Sequence, residues 1–117
     1  MFDLITIEEL ATFLKTSKST IYGWVTNNKI PQMCIFDKLG STRIKKSQFE
    51  KYYNVDIKNL LTPDELAEIL KIKKKTITVW FARKILPKEM RTKIVGINRY
   101  RKDVLEKFIN EELTTVA

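Results

Sequence analysis

The sequence predicts a mainly α-helical chain with two small β-hairpins, arranged as one unit of about fifty residues written twice. Three observations predict it. The stretch from Lys15 to Val25, with Ser19, Thr20, Ile21 and Trp24, returns 56 residues later as Lys71 to Phe81, with Lys75, Thr76, Ile77 and Trp80. Held without a gap, the same offset superimposes Thr6 on Thr62, Glu9 on Glu65, Leu14 on Leu70, Pro31 on Pro87, Gly40 on Gly96 and Arg43 on Arg99; such self-similarity marks a duplicated structural unit. Finally, the apolar period turns from helical to alternating after each proline, Pro31 and Pro87, which predicts a hairpin behind each helical pair.

Taken in order, both copies open alike. Thr6 to Glu9 and Thr62 to Glu65 have the spacing of a capping box, the hydroxyl accepting an orphan backbone N–H and the glutamate reaching back. Ile5 with Leu10, and Leu61 with Leu66, fill the hydrophobic-staple positions, and Pro63 falls where its missing donor costs nothing. Apolar residues at 7, 10, 11 and 14, and at 66, 67 and 70, form a one-sided stripe. This helix runs out near Lys15 and Lys71, and a second begins about three residues on, capped by Ser17 in the first copy but facing Lys73 in the second.

On the second helix Ile21, Trp24 and Val25, or Ile77, Trp80 and Phe81, are expected on the core side. The opposite arc carries Ser19, Tyr22, Gly23 and Thr26 in one copy and Lys75, Thr78, Val79 and Ala82 in the other, without one acidic residue. Two short helices with a tight turn and a hydroxylic, basic outer arc suit entry into a DNA major groove; the plainer reading is a helical hairpin with a solvated face.

The alternating segments around Gly40 and Gly96 read as wings. Ile44 and Tyr100 are expected inward, leaving Arg43 with Lys45, and Arg99 with Arg101, exposed toward phosphates. With Cys34, Phe36, Met90 and Thr92 inward, the outgoing strands expose Met33, Ile35 and Asp37 in one unit and Glu89, Arg91 and Lys93 in the other. The Met33–Ile35 pair is either scattered surface apolars or an edge for a partner protein. Ser47 to Glu50 and Asp103 to Glu106 repeat the capping-box spacing, so a third helix closes each unit, burying Phe49 and Tyr52, or Leu105 and Phe108. The joining segment 54–60 has Val55, Ile57 and Leu60 but no glycine or proline, and is expected to pack down. The units are thus 1–56 and 57–117, each near the lower size limit for an independent core.

Composition narrows the function. A net charge of +8 and a pI near 9.6 suit a polyanionic partner. Residues 1–56 hold eight Lys/Arg against six Asp/Glu, a net +2, whereas 57–117 hold fourteen against eight, a net +6. With no histidine and a single cysteine, Cys34, there is neither a disulfide nor a usual zinc-ligand set, and the commonest general base is missing. Neither a metal, a cofactor nor an enzymatic activity is expected. No run approaches the roughly 18 apolar residues of a membrane span, and no leader is evident, so a cytoplasmic protein is expected.

Each half resembles the helix-turn-helix domain of the excisionase family, a winged-helix class related to the DNA-binding heads of MerR-like regulators. The resemblance lies in Thr6/Thr62 with Glu9-Leu10-Ala11 or Glu65-Leu66-Ala67, in Thr20-Ile21 with Trp24 or Thr76-Ile77 with Trp80, in Ile30-Pro31 or Leu86-Pro87, and in Gly40 with Arg43 or Gly96 with Arg99. It implies two tandem winged helix-turn-helix units binding double-stranded DNA. Lys18, Ser19, Tyr22, Thr26, Lys74, Lys75, Thr78 and Arg83 would lie on the recognition helices, and Lys38, Arg43, Lys45, Lys93, Arg99 and Arg101 on the wings. Gly23 and Val79 stand where the family often carries arginine, so base readout would rest on Tyr22, Thr78 and the lysines.

A monomer would then act as an internal pseudo-dimer, or assemble further on DNA, with half-sites roughly 10 bp apart and a site of about 20 bp. The implied role is transcription regulation or excisionase-like direction of recombination on a phage, plasmid or integrative element, in a bacterial cytoplasm and at its nucleoid. In the alternative, unit 2 binds DNA while unit 1 docks through Met33 and Ile35 on an integrase or replication factor.

Overall fold

A computed structural model describes residues 3–110. Its contacts divide the chain between Lys58 and Asn59 into two units of the same plan. In the first, β1 (Leu4–Thr6) leads into α1 (Ile7–Leu14) and α2 (Lys18–Thr26), followed by β2 (Ile35–Phe36), β3 (Arg43–Lys45) and α3 (Lys46–Tyr53). In the second, β4 (Leu60–Leu61), α4 (Pro63–Leu70), α5 (Lys74–Ala82), β5 (Arg91–Ile94), β6 (Ile97–Arg101) and α6 (Lys102–Ile109) repeat that order. Each hairpin is entered through a short 3-10 turn, Gln32–Cys34 or Lys88–Met90.

Both leading capping boxes form. The Thr6 hydroxyl accepts from the Glu9 N–H at 3.0 Å while the Glu9 carboxylate accepts from the Thr6 N–H at 2.8 Å, and Thr62 with Glu65 does the same at 3.1 and 2.9 Å. At the far end Lys15 and Lys71 each adopt φ 58°, and the next residue's N–H turns back onto Ala11 or Ala67 at 3.0 Å. Left-handed closure satisfies the last carbonyls and reverses the chain within three residues. Ser17 caps α2, its hydroxyl accepting from the Thr20 N–H at 3.2 Å, whereas Lys73 gives α5 no side-chain cap.

Between these helices lies the core. Ile7, Leu10, Leu14, Ile21, Ile44 and Phe49 are closed to solvent in unit 1, as are Leu66, Ile77, Leu86, Met90 and Leu105 in unit 2. At about 1.5–3 kcal/mol for each fully buried side chain of this kind, these contacts are what make so small a unit viable. Trp24, Val25, Trp80 and Phe81 are only half-buried, lying on the flank of the helix rather than at its centre. Val55, Ile57 and Leu60 are buried, so the joining segment does pack down.

Several expectations are corrected. Each wing belongs to a three-stranded antiparallel sheet, ordered β1-β3-β2 or β4-β6-β5, because Leu4–Thr6 and Leu60–Leu61 add a strand beside the hairpin. Register then reassigns the faces. Ile35 lies opposite Ile44, and directly opposed residues share a face, so Ile35 turns inward and is half-buried, while Met33 and Asp37 stay exposed. Likewise Thr92 lies opposite Arg99, not Tyr100, so Thr92 and Arg99 share a face and both are buried.

The third helices start without capping boxes. Ser47 sits inside α3, and it is Asp3 that holds its start: the Ser47 N–H donates to the Asp3 carboxylate at 2.9 Å, the Ser47 hydroxyl donates to the same oxygen, and the Lys46 N–H donates to the Asp3 carbonyl at 3.0 Å. Glu50 instead accepts from Lys46 Nζ at 3.1 Å and from the Ile57 N–H at 3.0 Å. Asp103 accepts from the neighbouring Val104 N–H. Tyr52 is 57% exposed, and Tyr53 is the ring that packs on Phe49, centroids 4.7 Å apart.

Candidate nucleic-acid interface

The tight turn after α1 or α4 leaves one arc of the following helix uncovered. Lys18, Ser19, Tyr22 and Thr26 are all exposed on α2, as are Lys74, Lys75 and Thr78 on α5 with Arg83 just past its end. A row of ammonium groups and hydroxyls on one arc can donate to phosphate oxygens and meet base edges. Gly23 lies within this arc with open space where a Cβ would stand, so the α2 backbone itself is approachable there.

Two acidic groups adjoin these arcs, contributed by the preceding helices. The Tyr22 hydroxyl donates to Glu8 Oε2 at 3.2 Å across α1 and α2, and Lys74 Nζ pairs with Asp64 Oδ1 at 3.2 Å across α4 and α5. Glu8 and Asp64 occupy equivalent positions of the repeat. The helix arcs carry no acid of their own, but each has a carboxylate at its edge. Neither is marked by the spacing of the second helix itself; their recurrence at the repeat offset is the sequence signal for them. The Glu8 charge, helped by partial desolvation, pushes the Tyr22 phenol above its ordinary value, with Arg43 opposing.

The wings are unequal. Lys38 is exposed in the loop of the first wing and Lys93 on β5 of the second. Arg43 and Lys45 are half-buried on β3, Arg43 donating to the Ser41 hydroxyl at 2.6 Å. Arg101 is also half-buried, donating to the Glu89 carbonyl at 2.9 Å. Arg99, expected on the exposed side, is only 8% exposed and donates to the Asn98 carbonyl at 2.7 Å. Burial lowers its affinity for the proton, with Glu65 opposing. The middle strand of a three-stranded sheet has neighbours on both sides, and this guanidinium is removed from the set that faces solvent.

Burial pushes the Cys34 thiol up, and among the described residues no group of three His, Cys, Asp or Glu side chains could hold a metal ion. Among those residues no helix is long and apolar enough to cross a membrane.

A capped helix, a tight left-handed turn, a second helix bare along one arc and a hairpin behind it define a winged helix-turn-helix, here built twice. The chain belongs to the helix-turn-helix domain family, whose model matches residues 4–54 and again 60–112, one excisionase-like match to each unit. It is thus a DNA-binding helix-turn-helix protein. Neither the curated proteins nor the solved structures include a match to it.

Proposed function

We propose that this protein binds double-stranded DNA sequence-specifically through both units and acts as a transcription regulator or as an excisionase-like factor that directs recombination on a mobile element. It has no enzymatic activity of its own. The observation that carries the reading is the recurrence, in both units, of a solvent-facing arc of lysines and hydroxyls on the second helix. α2 enters a major groove through Ser19, Tyr22 and Thr26 and α5 does so through Thr78, while Lys18, Lys74, Lys75 and Arg83 hold phosphates. Lys38, Arg43, Lys45, Lys93 and Arg101 serve the backbone from the wings, and Arg99, being buried, is a structural residue of the sheet.

Footprinting on the DNA flanking the coding region tests this, with protection over about 20 bp expected. Affinity should fall steeply as salt rises, since each phosphate neutralised releases counterion. Absence of binding to every duplex in dilute buffer would end the proposal.

A second reading is favoured by one contrast: unit 1 carries the smaller net charge and exposes Met33 and Leu39 by 54% and 61%. In it, unit 2 binds DNA and unit 1 docks on an integrase or replication factor. Reversing charge at Lys38 and Lys45 separates the two. A loss of DNA affinity matching that from reversal at Lys93 and Arg101 favours two DNA-binding units; no loss favours the adaptor.

A further inference from the structure

We infer that Glu8 decides which bases Tyr22 reads, by taking the single proton of the Tyr22 hydroxyl and leaving the phenolic oxygen to face the groove as an acceptor. This rests on the reading of α2 as a groove-facing helix. A phenol has one O–H and an acceptor oxygen, and a free phenol turns its proton toward whichever base edge needs it. A carboxylate only accepts. With Glu8 Oε2 at 3.2 Å, the proton is committed along that line, and the Tyr22 oxygen is left with lone pairs.

The neighbouring negative charge also disfavours the phenolate, pushing the Tyr22 phenol upward. An acceptor in the major groove matches the exocyclic amino groups of adenine and cytosine and meets the acceptor atoms of guanine and thymine unfavourably. Tyr22 is thereby converted from an ambivalent contact into a selective one. Glu8, which need not touch DNA, is the positioning residue.

The second unit supplies the contrast. Thr78 stands in the place of Tyr22, and Asp64, in the place of Glu8, turns instead to Lys74 at 3.2 Å. That carboxylate does not polarise the Thr78 hydroxyl. The two half-sites are therefore expected to differ, with an amino-bearing base required in one only.

The test is binding of the full chain to a duplex library randomised across the footprint, for the natural protein and for Glu8→Gln, Glu8→Ala and Tyr22→Phe. Glu8 is exposed, and thermal melts by circular dichroism verify that each variant folds. At one position of one half-site the natural protein is expected to favour adenine or cytosine by about fivefold. Tyr22→Phe should erase that preference. Both Glu8 variants should relax it so that guanine and thymine bind equally well there, because glutamine can donate as well as accept and alanine does neither.

A preference that survives both Glu8 substitutions but not Tyr22→Phe overturns the inference and leaves Tyr22 a base reader. Preferences untouched by all three, with tight binding retained, overturn it together with the groove reading of α2. Failure of the natural protein to bind any duplex removes the function on which it rests.

Discussion

Val25, Ile35 and Ile44 occupy the junction between second helix and wing in the first unit; at the same three places the second unit has Phe81, Arg91 and Tyr100. There the rings stack with centroids 5.7 Å apart, and the Arg91 guanidinium lies 4.8 Å from the Phe81 centroid. The first unit has its ring cluster on α3 instead, where Tyr53 is tilted against Phe49 and meets Tyr52 edge to face. One backbone plan thus tolerates an aromatic cluster on different elements, while Trp24 and Trp80 keep matched places. The duplicated fold specifies caps, turn and register, while the volume filling it is free to migrate between elements.

The two hairpins differ as well. The β2–β3 ladder has two opposed pairs below a loop from 37 to 42, whereas β5–β6 has four and closes at Val95 and Gly96. Val95 takes φ 61°, an unfavourable left-handed setting for a β-branched residue, and the Gly96 N–H donates to the Ile94 carbonyl at 2.7 Å. Wing 2 is zipped to its tip and anchored by an aromatic stack; wing 1 is a short ladder with a long loop and an exposed Leu39.

Substitutions at matched positions sharpen this contrast or break it. Phe81→Ala is expected to cost about 3 kcal/mol, because stack and cation seat vanish together, against about 1 kcal/mol for Val25→Ala; equal shifts in urea midpoint would show that the stack adds nothing. The next effect is on DNA. Ser19 and Lys75 are counterparts, so Lys75→Ala should flatten the salt dependence of log K by about one and Ser19→Lys should steepen it by as much. Identical slopes for both variants and the natural protein would remove these positions from the interface.

Smaller effects follow at the helix starts. Ser17→Ala should lose about 1 kcal/mol of stability and Lys73→Ser gain a similar amount, measured by thermal melts. Least of all, Gly23→Ala should gain about 0.5–1 kcal/mol, since helix propensity rises and the space is open, while DNA affinity falls as the new methyl meets the groove. A stabilised variant that binds as tightly as before would show that the α2 backbone does not approach DNA at that point.

Much of the plan was legible because it is written in local signals. Thr6 with Glu9, Thr62 with Glu65, the apolar stripe and the lysines at the turn each act within four residues, and their repetition read them out twice. What was missed depends on partners distant in sequence. Strands of two or three residues, such as Leu60–Leu61, carry no period, and the face of Ile35 or Arg99 follows from which residue lies across the ladder rather than from alternation alone. The start of α3 looked like a capping box at Ser47, yet its acceptor lies 44 residues earlier. At the interface the exposed arc was legible from helical spacing, but Glu8 and Asp64 belong to another helix and join it only through the turn.

Asp3 stitches the opening of the first unit to its last helix, with β1 alongside β3 completing the seam. A clasp of that kind couples the two margins of the unit, so neither margin loosens alone. Cutting the chain after residue 3, or fusing a bulky tag against it, would release α3 along with the strand, and the earliest and latest amides of the unit should lose their deuterium protection in the same step.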